Sequence, residues 1–242
     1  MEILPSRCND QHILLCLQTV PTLAFKKFRG EITIGSTNCR VCKQNETESV
    51  KHILSHCGAF LNTFYKRRHD LTLQYILFNF LVKMKMVEVC PPWYSKSKIK
   101  PMYENEDILL LWDVPEYNGR EDEIEENILR PDAKIIFKKM KKIFIIEQSV
   151  PWISNRENKM EEKIEKYKNI IRSIKLNNID HTVEQITIIV DCLGGYSDSL
   201  KENMRKLGFT KSDQSRILKG VQKIILTEAR STINHFKLLT NL

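Results

Sequence analysis

The chain has 242 residues, 42% of them hydrophobic, enough for one large domain or a domain with an appended module. No apolar run approaches the roughly 18 residues of a membrane span, and Met1 to Val20, which holds Asp10 and His12, lacks the basic-then-apolar layout of a secretion signal; the expectation is a soluble intracellular protein. The net charge of +8 favours a polyanionic partner, though a basic balance alone is common in proteins that never meet nucleic acid.

Residues 1–38 read as a linker segment, with a short helix over His12 to Val20 that Pro21 ends. Residues 39–57 follow the pattern C-x2-C-x9-H-x4-C, formed by Cys39, Cys42, His52 and Cys57. Thiolates and an imidazole at this spacing close a tetrahedral Zn²⁺ site; four protein ligands leave no open position, so the zinc is structural and folds a segment too small for a core of its own. His56 competes as a ligand, but the spacing favours His52. An odd count of seven cysteines with three beside histidines argues for a reducing compartment rather than a disulfide frame; Cys8, Cys16, Cys90 and Cys192 read as buried thiols.

From Gly58 to about Val89 apolar residues recur at helical spacing, which predicts one long helix or two consecutive ones ending before Pro91-Pro92. Residues 90–107 read as a loop, Ile108 to Trp112 as a strand, and the acidic stretch Glu116 to Asn127 as a solvated loop. Ala133 to Phe137 and Ile143 to Gln148 flank a lysine-rich run and predict a β-hairpin. Ser154 with Glu157 forms a capping-box pattern for a helix running to about Leu176, buried along Met160, Ile164, Tyr167, Ile171 and Ile174, with Lys159, Lys163 and Lys166 on an adjacent face. Ile186 to Val190 reads as a strand buried on both faces. The turn at Gly194-Gly195, a helix from Ser197 to Leu207 and a last helix from about Ser212 to Leu239 complete the chain.

Within this layout Asp132 starts one strand and Glu147 ends the next. If the two are antiparallel, both carboxylates enter one site, and hard oxygen ligands of this kind suit Mg²⁺. Such a metal polarises a phosphate and generates hydroxide from bound water, and a nearby ammonium offsets the developing charge. Two positions after Glu147 stands Ser149, where an acid-x-lysine strand would carry its lysine, so the cation has to come from Lys163 or Lys166 on the following helix. Spacing does not choose between them. The plainer alternative is a turn-capping Asp132, an exposed Glu147 and a solvated lysine face.

The ordered set of Cys39 to Cys57, Arg68-His69-Asp70, Leu111-Trp112-Asp113-Val114-Pro115, Arg130-Pro131-Asp132, Ile146-Glu147-Gln148-Ser149-Val150-Pro151, Lys163-Ile164-Glu165-Lys166-Tyr167 and Leu193-Gly194-Gly195 resembles the C-terminal part of site-specific non-LTR retrotransposon proteins. The likeness runs from Cys39 to about Phe209. It implies a zinc knuckle (39–57) followed by a restriction-like endonuclease domain (58–242) with a PD-(D/E)xK core, a mixed β-sheet flanked by helices. It further implies Mg²⁺ held by Asp132 and Glu147, a lysine supplied from the helix, and Arg68 and His69 near DNA; without it, Arg68 and His69 read as a polar patch on a helix. DNA and the element's RNA are the implied partners, no membrane is involved, and the nucleus is the implied location. Two departures stand out: Asp70 occupies a position where the family carries an amide, and no Tyr-x-Asp-Asp polymerase motif occurs in the chain. A nuclease that nicks duplex DNA is the expected activity, and a non-catalytic nucleic-acid-binding remnant is the alternative.

Overall fold

The computed structural model describes residues 19–33, 35–117 and 128–241. Most of the helix expected over His12 to Val20 and most of the acidic stretch Glu116 to Asn127 fall outside them.

The first helices are short and set by their caps. Helix α1 (Leu23–Phe28) starts at Thr22, whose side chain accepts from Phe25 N, and α2 (Val50–Ser55) starts at Ser49, which accepts from His52 N. The long helical region then begins with a turn at Gly58–Phe60, passes through a π-helical segment, Leu61–Tyr65, and continues as α3 (Lys66–Lys83). The expected choice between one helix and two thus resolves as a single run whose register shifts at the π segment.

Among the described residues seven strands follow: β1 (Met102–Glu104), β2 (Ile108–Trp112), β3 (Glu116–Tyr117), β4 (Ile128–Leu129), β5 (Ala133–Phe137), β6 (Lys142–Ser149) and β7 (Thr182–Ile189). Five form a mixed sheet in the order β1-β2-β5-β6-β7, antiparallel except for the β6–β7 pair, while β3 and β4 form a small separate ladder. The predicted hairpin is present, with Ala133 opposite Ile146 and Phe137 opposite Lys142. Strand β1 lies inside the segment read as a loop; three residues between Pro101 and Asn105 are too few to show a period.

The parallel step from β6 to β7 needs a crossover, and helix α4 (Arg156–Asn177) supplies it. The expected capping box does not form. The chain leaves β6 through a 3₁₀ turn at Ile153–Asn155, so the helix starts at Arg156 with Asn155 as an N-cap that makes no side-chain cap bond. The buried stripe is also narrower than expected: Tyr167, Ile170 and Ile174 are buried, whereas Ile164 is 48% exposed. Tyr167, Ile170 and Ile174 stand three and four apart and stack on one face, which turns Ile171 to the flank.

Strand β6 is buried at seven of its eight positions and divides the interior. Ile143 and Ile145 point to α4 and join Tyr167, Ile170, Ile174 and Val183. Phe144 and Ile146 point the other way, into a larger cluster with Leu73, Ile76, Leu77 and Phe80 of α3. The last helices are α5 (Asp198–Lys206) and α6 (Lys211–Thr240); α6 opens with a reciprocal Thr210–Asp213 capping box and buries Ile217, Val221, Ile224, Ile225, Ile233 and Phe236, as expected. Helices α3 and α6 come so close at Gly220 that a Cβ there would sit 2.4 Å from the Tyr75 ring, which would have to move to admit it. Val50, Ile53, Leu54 and Cys57 from the cysteine-rich segment belong to this same cluster. Among the described residues no helix is long and apolar enough to cross a membrane.

Candidate metal and carboxylate centres

The cysteine-rich segment gathers its four expected ligands. The ligand atoms of Cys39, Cys42, His52 and Cys57 all lie within 4.8 Å of one another, with Cys42 Sγ 3.3 Å from His52 Nε2 and Cys39 Sγ 4.0 Å from Cys57 Sγ. Local backbone bonds produce this convergence. Cys39 N donates to Glu46 O and Lys43 N to Cys39 O, and the turn between Cys42 and Gln44 closes through Lys43 at φ 56°. Helix α2 then aims His52 inward, and Cys57 N donates to His52 O. The four cysteine and histidine side chains could hold zinc, which suits a set of three thiols and an imidazole. Burial pushes the Cys57 thiol up to about 12, raises Cys39 and lowers His52. A bound cation reverses that preference for the neutral thiols, because metal coordination deprotonates them. His56 stays outside, exposed and 3.8 Å from Glu46 Oε2.

A buried carboxylate that sequence reading did not single out ties this segment down. Glu48 accepts from Arg40 Nη2 at 2.7 Å and Nε at 2.9 Å, and from the backbone N–H groups of Arg40 and Leu23. Arg40 stands between the first two cysteines and also covers the Phe236 ring of α6, 6.0 Å from its centroid. The pair therefore fixes the segment to α1 on one side and to the body on the other. Its only sequence trace is an acid and a base in a polar stretch, which carries no period.

At the far end of the hairpin Asp132 lies directly across from Glu147, one position beyond the Ala133–Ile146 pair. Asp132 N donates to Glu147 Oε1 at 3.1 Å, and Gln148 N donates to Asp132 Oδ2 at 2.7 Å. Glu147 shares the α4 face of β6 with Ile143 and Ile145, because all three are odd-numbered. Lys163 of α4 reaches it there, Nζ to Oε2 at 2.6 Å. The structure thus chooses between the two candidate lysines: Lys166 is exposed and its Nζ lies over the Tyr167 ring, 5.1 Å from the centroid. Tyr167 adds a support, its hydroxyl donating to Arg130 O at 2.8 Å and holding the turn before Asp132.

Arg68 and His69 part company. Arg68 is fully buried; its Nη2 donates to Leu54 O at the end of α2, and its plane covers the Tyr65 ring. Among the described residues its Nε and Nη1 have no hydrogen-bond partner. The expected DNA contact by Arg68 is therefore corrected: the side chain has no surface to offer, because α3 turns it inward beneath the end of α2. Its neighbour His69 reaches the carboxylate pair instead, with Nε2 3.4 Å from Asp132 Oδ2 and Nδ1 3.0 Å from Asp70 Oδ1. Nothing in the sequence pattern placed His69 beside Asp132, since they sit on different elements 63 positions apart.

The centre is electrically close to balanced. Burial pushes Glu147 up, the neighbouring Asp132 charge adds to this, and Lys163 only partly offsets it, so the carboxyl stays above its ordinary value. Burial also works against the Asp132 carboxylate, but His69, Gln148 N and Lys163 outweigh it and hold it below the usual range. Burial opposes the His69 imidazolium, yet Asp132 and Asp70 together raise it to about 10. Lys163 is raised by Glu147 and Asp132 against the cost of its own burial. Asp132 and Glu147 are thus faced by two cations, both supplied by helices, with Asp70 as a third acid on the other side of His69. Comparison with known proteins found no matching family and no similar curated protein.

Proposed function

We propose that this chain is a Mg²⁺-dependent DNA endonuclease of the restriction-like kind, similar to the C-terminal region of non-LTR retrotransposon proteins. The observation that carries the reading is the placement of Asp132 and Glu147 as cross-strand neighbours with the Lys163 ammonium 2.6 Å from Glu147. The raised Glu147 carboxyl beside the Asp132 charge is what a divalent cation relieves, so the donor set fits hard-metal binding. Asp132 and Glu147 would hold the ion, which when bound polarises the scissile phosphate and lowers the pKa of a water. Lys163 keeps its proton at neutral pH and offers a fixed positive charge to the phosphate or to the attacking water. The zinc knuckle is a structural module that presents basic surface to nucleic acid; duplex DNA, the element's RNA and a nuclear location belong to the same reading.

Purified protein is expected to nick supercoiled plasmid with Mg²⁺, and Asp132→Ala and Lys163→Ala to lower the rate by at least about 10²-fold, as removal of a group stabilising developing charge does. Equal activity of wild type and Asp132→Ala would sink the proposal. One observation favours a second reading, a nucleic-acid-binding remnant without catalysis. The Glu147 side chain is 1% exposed, and Lys163 and Asp132 N between them occupy both its oxygens. Salt-dependent DNA binding with no cleavage at any Mg²⁺ concentration is the result that reading expects.

A further inference from the structure

We propose that His69 is a positioning residue for the metal-binding carboxylate Asp132, and that Asp70 fixes its ring; the inference rests on the endonuclease reading and deepens it. Three atoms of His69 are engaged. Nδ1 lies 3.0 Å from Asp70 Oδ1. Nε2 lies 3.3 Å from Gln148 O and 3.4 Å from Asp132 Oδ2. The His69 carbonyl accepts from Gln148 Nε2 at 2.9 Å. Gln148 in turn donates its backbone N–H to the same oxygen, Asp132 Oδ2, at 2.7 Å. A closed circuit therefore links the first turns of α3, the end of β6 and the start of β5.

The geometry assigns the two carboxylate oxygens different work. Oδ2 is taken by Gln148 N and faced by His69, and among the described residues no hydrogen bond falls on Oδ1. Because both ring nitrogens already face partners, His69 has none left to ligate a metal or read a base. It acts through Asp132, in the way that hydrogen-bonded neighbours orient the ligands of metal centres. Asp70 gains a purpose from the same circuit. A carboxylate facing DNA would repel phosphate, but this one is turned to His69 and fixes the ring so that Nε2 faces Asp132. Arg68, one residue before, anchors the same turn to Leu54 O at the end of α2, so the circuit is built on a fixed support.

The test is nicking across a Mg²⁺ titration, with DNA affinity measured separately in Ca²⁺. His69→Ala is expected to raise the Mg²⁺ midpoint about 10-fold or more, the range found when an outer partner of a metal ligand is removed. Asp70→Asn is expected to raise it several-fold, His69→Gln to recover part of the loss through its amide, and DNA affinity to stay within about twofold. A general loss of fold would reduce the active fraction without moving the midpoint, so the midpoint separates positioning from a structural defect. Weakened DNA binding with an unchanged midpoint would overturn the inference in favour of direct DNA contact. If the wild type does not nick at all, the endonuclease reading fails, and the pairing is judged by urea unfolding of His69→Gln, Asp132→Asn and the double variant. Non-additive midpoint shifts uphold the link between His69 and Asp132, and additive shifts refute it.

Discussion

The cysteine centre and the carboxylate centre each bring four polar side chains together, but by opposite means. Cys39, Cys42, His52 and Cys57 come from one short stretch, and burial favours the neutral forms of Cys39, His52 and Cys57. Asp132, Glu147, Lys163 and His69 come from a β-hairpin and two separate helices, and the chain neutralises its own carboxylates with its own cations. The difference teaches what each centre needs. The first is a set of soft donors that could take zinc, whereas the second already meets its carboxylates with the chain's own cations.

The largest effect expected from this contrast is on the cysteine centre. Structural zinc contributes on the order of 10 kcal/mol to isolated knuckle-like peptides. Here Val50, Ile53 and Leu54 tie the segment to the main core, so its loosening also uncovers the body. Cys57→Ser, or treatment with a strong chelator, is expected to lower Tm by more than about 10 °C in a melt followed by circular dichroism. A melt indifferent to both would remove the reason for distinguishing the two centres.

Next comes the lysine pair. Lys163→Met leaves Glu147 buried without its cation and is expected to cost about 2 kcal/mol in urea unfolding, less than a fully trapped charge because the raised carboxyl can take up a proton. Lys166→Met, at an exposed position, is expected to stay within about 0.5 kcal/mol. Equal costs would mean that the two lysines are not distinguished by the fold.

A pH effect follows from His69. Its value in the folded protein, about 10, lies above the roughly 6.5 of an unfolded histidine. The associated stability is complete below about pH 6.5 and is lost as pH rises towards 10. Metal-free protein should therefore lose on the order of a few kcal/mol between pH 7 and 10, and His69→Gln should flatten that slope. A wild-type slope that matches His69→Gln would mean that the imidazolium is not held by the two aspartates.

A small effect is also expected at Arg68. With two guanidinium nitrogens unpartnered among the described residues, its charge is poorly compensated, and a buried ion can often be replaced by an apolar residue of similar size without loss. Arg68→Met should change unfolding by less than about 1 kcal/mol and leave DNA affinity unchanged. A clear drop in affinity would return Arg68 to the DNA surface.

Much of the fold was legible because it rests on local rules. The two β-rich runs flanking the lysines that set β5 and β6, the apolar run of β7 and the helical spacing of α6 are properties of neighbouring residues, and the structure follows them. The cysteine ligands were legible for the same reason: a short spacing with tight turns leaves few ways to arrange four donors. Local rules also had local failures. Ser154 and Glu157 match a capping box, yet the exit from β6 through a 3₁₀ turn moves the helix start past Ser154. Ile171 fits the periodic stripe as well as Ile170 does, and only the position of β6 and β7 beneath α4 decides which one is buried.

The sequence by itself determined the hairpin, β2, β7 and the longer helices, the gathering of the four cysteine-centre side chains and the pairing of Asp132 with Glu147, because each follows from spacing along one segment. Only the tertiary structure decided which lysine meets Glu147, that Arg68 turns into the core and His69 to Asp132, and that Glu48 closes on Arg40. The first three outcomes depend on how α3 and α4 rotate against opposite faces of one sheet, and the last on how the cysteine-rich segment seats between α1 and α6. A rotation of about 100° per residue moves adjacent side chains between solvent, core and site, and no pattern within a helix records which face its partners will take.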